Sequence, residues 1–210
     1  MMWDKMDKQE IFNLRWAWAQ SNVFEVAQHK EEMWEMWRRV AELDASRMIE
    51  VGSYAGGSLY VYAGALKHPS TIVVVDYPIE GDPASGVLRT TIAILKAEGH
   101  TVHYFPGDSQ DADIIKSVRE LMPVADFVHI DGDHTYEYVK ADWKNYGTLV
   151  RKGGLAALHD VQYVRKAGLP PTRSGQVYDE LIERGYKGRQ FVQTERLNGK
   201  KISGIGLIET

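Results

Sequence analysis

From residue 46 onward, short apolar runs alternate with longer segments whose apolar residues recur at helical spacing. Strands that are apolar on both sides are typical of a parallel sheet covered by helices on both faces. The pattern therefore predicts an α/β fold with a doubly wound, mostly parallel sheet. The predicted parallel strands are Arg47–Val51, Thr71–Val75, Val102–Phe105, Asp126–Ile130 and Leu155–Leu158, and the predicted helices between them span residues 57–66, 85–98, 110–121 and 135–150.

The C-terminal part predicts a hairpin that closes the sheet. A helix over Gln176–Arg184 is followed by two predicted strands, Arg189–Leu197 and Lys200–Ile208. The Asn198-Gly199 pair between them is a strong hairpin signal, so these last strands are expected to be antiparallel. The loop over residues 161–175 is rich in Gly, Pro and basic residues, which is typical of a lid, of a substrate-binding element or of a mobile loop.

The first 45 residues differ in composition from the rest and form a predicted helical extension, with the main domain spanning residues 46–210. Five of the six Trp and five of the seven Met lie within the first 37 residues. Helical spacing predicts two helices, over residues 9–20 and 25–43. Their apolar face is expected to pack on the domain or on a second copy of the chain, which would make a homo-oligomer; partial cover of a ligand is the third interpretation.

Charge and composition narrow the class of protein. The 210 residues carry 25 Lys and Arg against 29 Asp and Glu, a net charge of −4, so neither nucleic acid nor an anionic membrane is an expected partner. The absence of Cys excludes disulfides and thiol chemistry. Because the chain has no long apolar run and no apolar signal segment near its start, we expect a cytoplasmic protein.

The first predicted strand runs into a glycine-rich loop, Glu50-Val-Gly-Ser-Tyr-Ala-Gly-Gly-Ser58. Glycines at such a point permit a tight turn and a close approach of the backbone to a ligand. A dinucleotide-binding fingerprint needs a glycine at position 54, where this chain has Tyr54. The loop therefore favours a ligand without a pyrophosphate.

Acidic residues end most of the other predicted strands, where ligands bind in open α/β sheets. Asp76 follows Gly52 by 24 residues, a position from which a carboxylate can accept both hydroxyls of a ribose. Asp108 and Ser109 follow the third strand and either contact an adenine or cap the next helix. Together these positions predict a site for a nucleoside.

These residues resemble a known family. Glu50-x-Gly-x-x-x-Gly-Gly-Ser58, the acid ending the second strand and the closing hairpin look like class I S-adenosylmethionine-dependent methyltransferases, whose fold is Rossmann-like with seven strands. More specific are Ile130-Asp-Gly-Asp-His-Thr-Tyr136, the following Asp142, and Lys152-Gly-Gly-Leu-Ala-Ala-Leu-His-Asp160. They resemble the subgroup of macrolide-sugar and rhamnosyl O-methyltransferases and cephalosporin hydroxylase-like proteins. The resemblance covers about residues 28 to 208, Gln28 included.

The resemblance implies a set of cofactor-binding residues and a reaction site. His134, three residues after Asp131, is the candidate general base, because an imidazole titrates near neutrality. Asp131, His159 and Asp160 are the candidate ligands of a divalent cation, Mg²⁺ or Mn²⁺. Relatives carry an acid at the position of His159. An imidazole at this position suits Mn²⁺ better than Mg²⁺. The residues expected to bind S-adenosylmethionine are Glu50, Gly52, Ser53, Tyr54, Gly56, Gly57, Ser58, Asp76, Asp108, Ser109 and Asp131.

The sequence thus predicts an enzyme that transfers a methyl group to a hydroxyl of a small molecule, such as a sugar or a natural-product glycoside. Two alternatives stay open. One is a Rossmann-fold oxidoreductase that uses NAD(P), against which Tyr54 counts. The other is a protein that binds a nucleoside without catalysis.

Overall fold

The computed structural model describes residues 6–22, 26, 28–162, 173–192 and 204–210, and it confirms the predicted α/β class. Within these ranges seven helices surround one seven-stranded sheet. The strands are β1 Arg47–Val51, β2 Thr71–Asp76, β3 Thr101–Pro106, β4 Ala125–Ile130, β5 Val150–His159, β6 Lys187–Phe191 and β7 Ile205–Glu209. The helices are α1 Lys8–Asn22, α2 Lys30–Glu42, α3 Gly57–Ala63, α4 Ala84–Ala97, α5 Ala112–Leu121, α6 Tyr136–Asn145 and α7 Ser174–Glu183.

The sheet has the order β3-β2-β1-β4-β5-β7-β6. Its first five strands are parallel, whereas β7 is antiparallel to both β5 and β6, as the hairpin prediction requires. The chain moves outward from β1 to β2 and β3 and then returns to β4 on the other side of β1. The strand order therefore switches between β1 and β4, and a crevice opens at the carboxyl ends of these two strands.

Each face of the sheet has its own apolar core. One core joins Met48, Val74 and Phe127 of the strands to helices α1 to α4, and the other joins Ile49, Val128 and Ala156 to helices α5 to α7. Strand residues alternate between the faces because successive side chains point to opposite sides.

The Trp- and Met-rich helices pack against the sheet, which agrees with the interpretation that their apolar face covers the domain. Met33, Met36 and Trp37 are 0–1% exposed and belong to the first core. The Trp37 indole N–H donates to the Val61 carbonyl at 2.9 Å. Buried Arg15 donates to the Tyr60 carbonyl and pairs with Glu98 at 2.7 Å. Oligomerisation through these helices stays a prediction.

Several predicted boundaries are wrong. The helix predicted over 25–43 begins only at Lys30, since His29 is its extended N-terminal cap. The helix predicted over 135–150 ends at Asn145, because a short 3-10 turn at Gly147–Leu149 follows and brings Gly147 against the ring of Trp143.

Two other predictions fall on segments that the structure does not describe. The strands of the hairpin are Lys187–Phe191 and Ile205–Glu209, and the predicted turn at Asn198-Gly199 lies outside the described residues. Most of the predicted loop over 161–175, residues 163–172, also lies outside them. None of the helices in the described ranges is long and apolar enough to cross a membrane.

Candidate active site at the carboxyl end of the sheet

The glycine-rich loop lies directly against the end of β4. Gly52 has φ +79°, and a Cβ atom at this position would be 2.3 Å from the carbonyl oxygen of Asp131. Only glycine fits here, because any other residue would have both a strained backbone and an impossible contact. The close approach joins the loop to the predicted reaction site.

Asp76 shapes this loop from the neighbouring strand. Its Oδ1 accepts hydrogen bonds from the backbone N–H groups of Ser53 and Tyr54 at 2.7 and 2.9 Å. Burial raises the pKa of Asp76, although the two hydrogen bonds act in the opposite direction. Within the described part of the chain, both of these hydrogen bonds go to Oδ1 and none goes to Oδ2.

A cavity of about 560 Å³ opens in the crevice between β1, β2 and β4. Of the residues predicted to bind the cofactor, it brings together Gly52, Tyr54, Asp76, Asp108, Ser109 and Asp131. The lining is completed by Val51, Val75, Tyr77, Ile79, Asp82, Ala84, Ser85, Gly107, Gly132, Asp133 and Tyr138.

The other predicted cofactor residues lie behind the loop. Glu50 is fully buried, and its two carboxylate oxygens accept hydrogen bonds from the Ser53 hydroxyl at 2.6 Å and from Nδ1 of His129 at 2.8 Å. Gly56 and Gly57 start helix α3, and Ser58 is buried in its first turn. Glu50, Ser53, Gly56, Gly57 and Ser58 do not line the cavity.

The structure tests the helix-cap interpretation of Asp108 and Ser109 and leaves the adenine contact a prediction. The residue that caps α5 is Asp111, whose side chain accepts from the backbone N–H groups of Asp113 and Ile114 at 2.8 and 3.2 Å. Asp108 instead lies at the cavity, where Tyr138 donates its hydroxyl to Oδ2 at 3.1 Å. The capping interpretation is therefore wrong for both residues.

Four ionisable side chains meet where β4 and β5 end. Oδ1 of Asp131 lies 2.7 Å from Nδ1 of His159 and 3.7 Å from Nε2 of His134. Asp160 lies on the other side of the His134 ring, with a carboxylate oxygen 3.9 Å from Nδ1. Its φ of +55° is unusual for a residue with a side chain, and such strain is concentrated at functional sites.

The charges of Asp131 and His159 support each other. Burial opposes ionisation of Asp131, but the adjacent His159 holds the pKa of this carboxyl at about 2. Burial likewise lowers the pKa of His159, and the attraction of Asp131 outweighs it and raises the value to about 9. Each group therefore favours the charged form of the other.

The same side chains have the spacing of a cation site. One ligand atom from each of Asp131, His134 and His159 lies within 4.8 Å of the others, and an oxygen of Asp160 lies 3.7 Å from His159 Nδ1. Two of the three predicted ligands, Asp131 and His159, therefore lie in this group together with His134, and the third, Asp160, lies beside His159. Imidazoles with carboxylates fit Mn²⁺, Fe²⁺ or Zn²⁺ better than Mg²⁺, which prefers oxygen.

Three side chains of the site were not among the predicted site residues. Gln28 donates to Asp131 at 2.5 Å, His129 binds Glu50, and buried Asp142 accepts from Gln110 at 2.6 Å. Gln28 and Asp142 belong to the matched segments of the family resemblance, which is the signal that could have found them. His129 carried only the weaker signal of lying beside Glu50 in the parallel register of β1 and β4.

Comparison with known proteins agrees with this architecture. The sequence matches a family of methyltransferase domains over residues 49–161, more than half of the chain. Among curated proteins it is 29% identical over 124 residues to the uncharacterized protein R132 of Acanthamoeba polyphaga mimivirus, a match that covers 59% of this chain and 55% of that protein. The match thus spans about half the length of this relative.

Two solved structures illustrate the shared fold. The O-methyltransferase from Bacillus cereus in complex with SAH is 15% identical, with a TM-score of 0.69 over 99% of this chain and 94% of the other. TomG from Streptomyces achromogenes, an O-methyltransferase involved in tomaymycin synthesis and solved in complex with SAM, is 16% identical, with a TM-score of 0.65 over 98% and 92%. At this identity the likeness confirms the Rossmann-like methyltransferase fold, and the sequence match establishes that the chain belongs to the family of methyltransferase domains.

Proposed function

We propose that the protein is an S-adenosylmethionine-dependent O-methyltransferase that acts on a hydroxyl of a small molecule. The observation that carries this proposal is the charge of the cavity. Five carboxylates line it, and none of its described lining residues is Lys or Arg; the acids are Asp76, Asp82, Asp108, Asp131 and Asp133. Such a cavity favours a nucleoside that carries a positive charge, as the sulfonium of S-adenosylmethionine does.

The same charge disfavours the alternative of an NAD(P)-dependent oxidoreductase. A pyrophosphate in this cavity would face several carboxylates without a cationic side chain to compensate it. In addition, the backbone N–H groups of Ser53 and Tyr54, which could bind a phosphate, already donate to Asp76.

The cofactor is proposed to lie along the carboxyl ends of β1, β2 and β3. Asp76 would accept the ribose hydroxyls through Oδ2, and Asp108 and Ser109 would face the adenine. The aromatic ring of Tyr54, which is 54% exposed at the cavity, would cover the sulfonium end. Glu50 would contribute indirectly, by fixing the Ser53 side of the loop.

In the proposed reaction the acceptor oxygen attacks the methyl carbon in line with the sulfur. The C–O bond forms as the C–S bond breaks, and S-adenosylhomocysteine leaves as a neutral thioether. His134 takes the hydroxyl proton; its exposed edge and its position between Asp131 and Asp160 support this role. The two carboxylates stabilise the imidazolium that results.

A divalent cation is a further proposed component, held by Asp131, His159 and Asp160. When bound, it supplies a positive charge that lowers the pKa of an acceptor hydroxyl. The mixed nitrogen and oxygen donors support Mn²⁺ over Mg²⁺. His134 lies close enough to join this set, and it is available for the proton only where it does not bind the cation.

Calorimetric titration with S-adenosylhomocysteine and, separately, with NAD⁺ tests the proposal. We expect micromolar binding of S-adenosylhomocysteine and none of NAD⁺. Asp76→Asn should weaken binding about 10- to 100-fold, since a hydrogen bond to a charged carboxylate contributes about 1.5–3 kcal/mol. Asp113→Asn, an exposed change on α5, is the matched control. Binding of NAD⁺ alone would refute the assignment.

Methyl transfer to glycosides and other hydroxylated small molecules, followed with labelled S-adenosylmethionine, tests the acceptor class. His134→Gln should lower kcat by about 10²–10⁴ while leaving S-adenosylhomocysteine affinity unchanged. A protein that binds a nucleoside without catalysis would show no transfer to any acceptor.

A further inference from the structure

The two oxygens of the Asp131 carboxylate have different surroundings. Oδ1 faces the reaction site, where it meets His159 at 2.7 Å and His134 at 3.7 Å. Oδ2 faces the protein interior, where the amide of Gln28 donates to it at 2.5 Å and Nε2 of His129 lies 4.0 Å away. Asp131 is therefore held from behind by groups that do not take part in the proposed reaction.

Gln28 reaches this position from the segment that precedes helix α2. Its side chain is 5% exposed and its partner is 103 residues away along the chain. A buried amide donor on a carboxylate restricts the rotation of that carboxylate, because turning it away would leave the amide donor without a hydrogen bond. Gln28, two residues before α2, thus contributes directly to the geometry of the site.

His129 is fixed from its other side. Its Nδ1 lies 2.8 Å from Glu50, and the ring of Tyr62 meets it edge-on at 5.1 Å. Nε2 is buried and has no hydrogen-bond partner among the described residues; Asp131 is the carboxylate it faces. At 4.0 Å the two atoms are too far apart for a hydrogen bond, so His129 acts on Asp131 by packing beside its Oδ2.

Glu50 connects this arrangement to the glycine-rich loop. The carboxylate that binds His129 through Oε1 accepts from the Ser53 hydroxyl through Oε2 at 2.6 Å. Hydrogen bonds therefore join Ser53, Glu50 and His129, and the ring of His129 in turn lies 4.0 Å from Asp131.

We propose that Gln28 and His129 are positioning residues that hold Asp131 with a single oxygen, Oδ1, directed at the reaction site. Glu50 transmits the state of the glycine-rich loop to that carboxylate. The inference rests on the proposed function, since it assigns Asp131 to the site of cation and acceptor. Its consequence is that a cation at Asp131 and a nucleoside at the loop influence each other's affinity, and linkage requires this influence to be reciprocal.

Calorimetric titration with Mn²⁺ alone, with S-adenosylhomocysteine alone, and with each in the presence of the other tests the inference. Gln28→Met keeps the length of the side chain and removes the donor. We expect it to weaken Mn²⁺ binding about 10- to 100-fold, the effect typical of groups that orient a metal ligand, and to change S-adenosylhomocysteine affinity less than about threefold. Gln20→Met, an exposed glutamine of α1, is the matched control.

Two variants of His129 separate its two contacts. His129→Asn keeps a donor for Glu50 and removes the atom that faces Asp131, so it should weaken Mn²⁺ binding only. His129→Phe also removes the contact with Glu50 and should weaken both ligands. In each variant the mutual effect of Mn²⁺ and S-adenosylhomocysteine should fall towards none.

The outcomes distinguish this inference from the function on which it rests. If the unmodified protein binds both ligands and the Gln28→Met and His129→Asn variants bind Mn²⁺ as tightly, the inference is wrong and the proposed function stands. Equal loss of both ligands with a lower Tm in Gln28→Met and His129→Asn would assign a structural role to these residues and overturn the inference. An unmodified protein that does not bind Mn²⁺ would overturn both the cation site and the inference.

Discussion

Asp142 provides a quantitative test of how burial controls charge in this fold. It lies on α6 with a side chain that is 0% exposed. Gln110 donates to Oδ1 at 2.6 Å, whereas Oδ2 is buried and has no hydrogen-bond partner among the described residues. Burial raises the pKa of Asp142 from 3.8 to about 7, hydrogen bonds from Ser109 and Gln110 oppose the rise, and the nearby charges of Asp108 and Asp133 add to it.

The magnitude follows from the difference between the folded and unfolded pKa values. Since the folded value is higher, the folded state holds the proton more tightly, and this stabilisation is complete below pH 3.8 and is lost as the pH rises to 7. A difference of about 3 pKa units corresponds to about 4 kcal/mol at 1.36 kcal/mol per unit. Asparagine is neutral at every pH and keeps an oxygen for Gln110, so Asp142→Asn does not incur this loss.

Urea unfolding of the metal-free and cofactor-free protein at pH 4.5, 6 and 7.5 measures the effect. The free energy of unfolding of Asp142→Asn, relative to the unmodified protein, should increase by about 3 kcal/mol between pH 4.5 and 7.5. Glu137→Gln, an exposed change on the same helix, is the matched control measured at the same pH values. A constant difference for Asp142→Asn would refute the reasoning, as would a variant less stable at every pH.

Three further changes test other parts of the structure. Gly52→Ala should destabilise the protein by more than about 3 kcal/mol and abolish S-adenosylhomocysteine binding, because its Cβ would meet the Asp131 carbonyl; a normal Tm with intact binding would contradict this. Asp111→Ala should cost about 1 kcal/mol in urea unfolding through loss of the α5 cap, with calorimetric S-adenosylhomocysteine affinity unchanged; a loss of affinity would reopen the assignment of the cap. Arg15→Met should cost about 3–5 kcal/mol in the same unfolding assay, since it leaves the partly buried Glu98 unpaired, and a cost below 1 kcal/mol would show that α1 contributes little to the domain.

The parts of the site that the sequence predicted are those set by local pattern. Apolar runs identify the parallel strands, and in such a sheet the strand ends lie along one edge. For this reason the sequence alone predicts that Asp76, Asp131 and Asp160 lie along the same edge of the sheet. The role of Asp108 was ambiguous in the sequence because Asp and Ser are common both in binding sites and at helix N-termini. The position of Asp111 as the N-terminal cap of α5 excludes the capping role for Asp108.

The contacts behind the site could not be read from local pattern. Glu50 is the first residue of a glycine-loop motif that suggests contact with a ligand. Strand alternation nevertheless places its side chain on the same face of the sheet as Met48, inside the first core. Its partner His129 lies in another strand, 79 residues away, and Gln28 reaches Asp131 across 103 residues. Such contacts depend on how the elements pack, and single-sequence periodicity carries no information on that.

Backbone strain gives independent support for the placement of the site. Among the described residues with side chains, Asp44, Tyr54 and Asp160 have a positive φ. Asp44 lies in the turn before β1, where it pairs with Lys67. The other two lie at the two ends of the proposed site: Tyr54 is in the glycine-rich loop, and Asp160 is beside His134. A left-handed conformation costs about 1–2 kcal/mol at each residue and persists only where the surrounding structure enforces it. The N–H of Tyr54 donates to Asp76, the residue proposed to hold the ribose, so this strained residue is in direct contact with the proposed cofactor site.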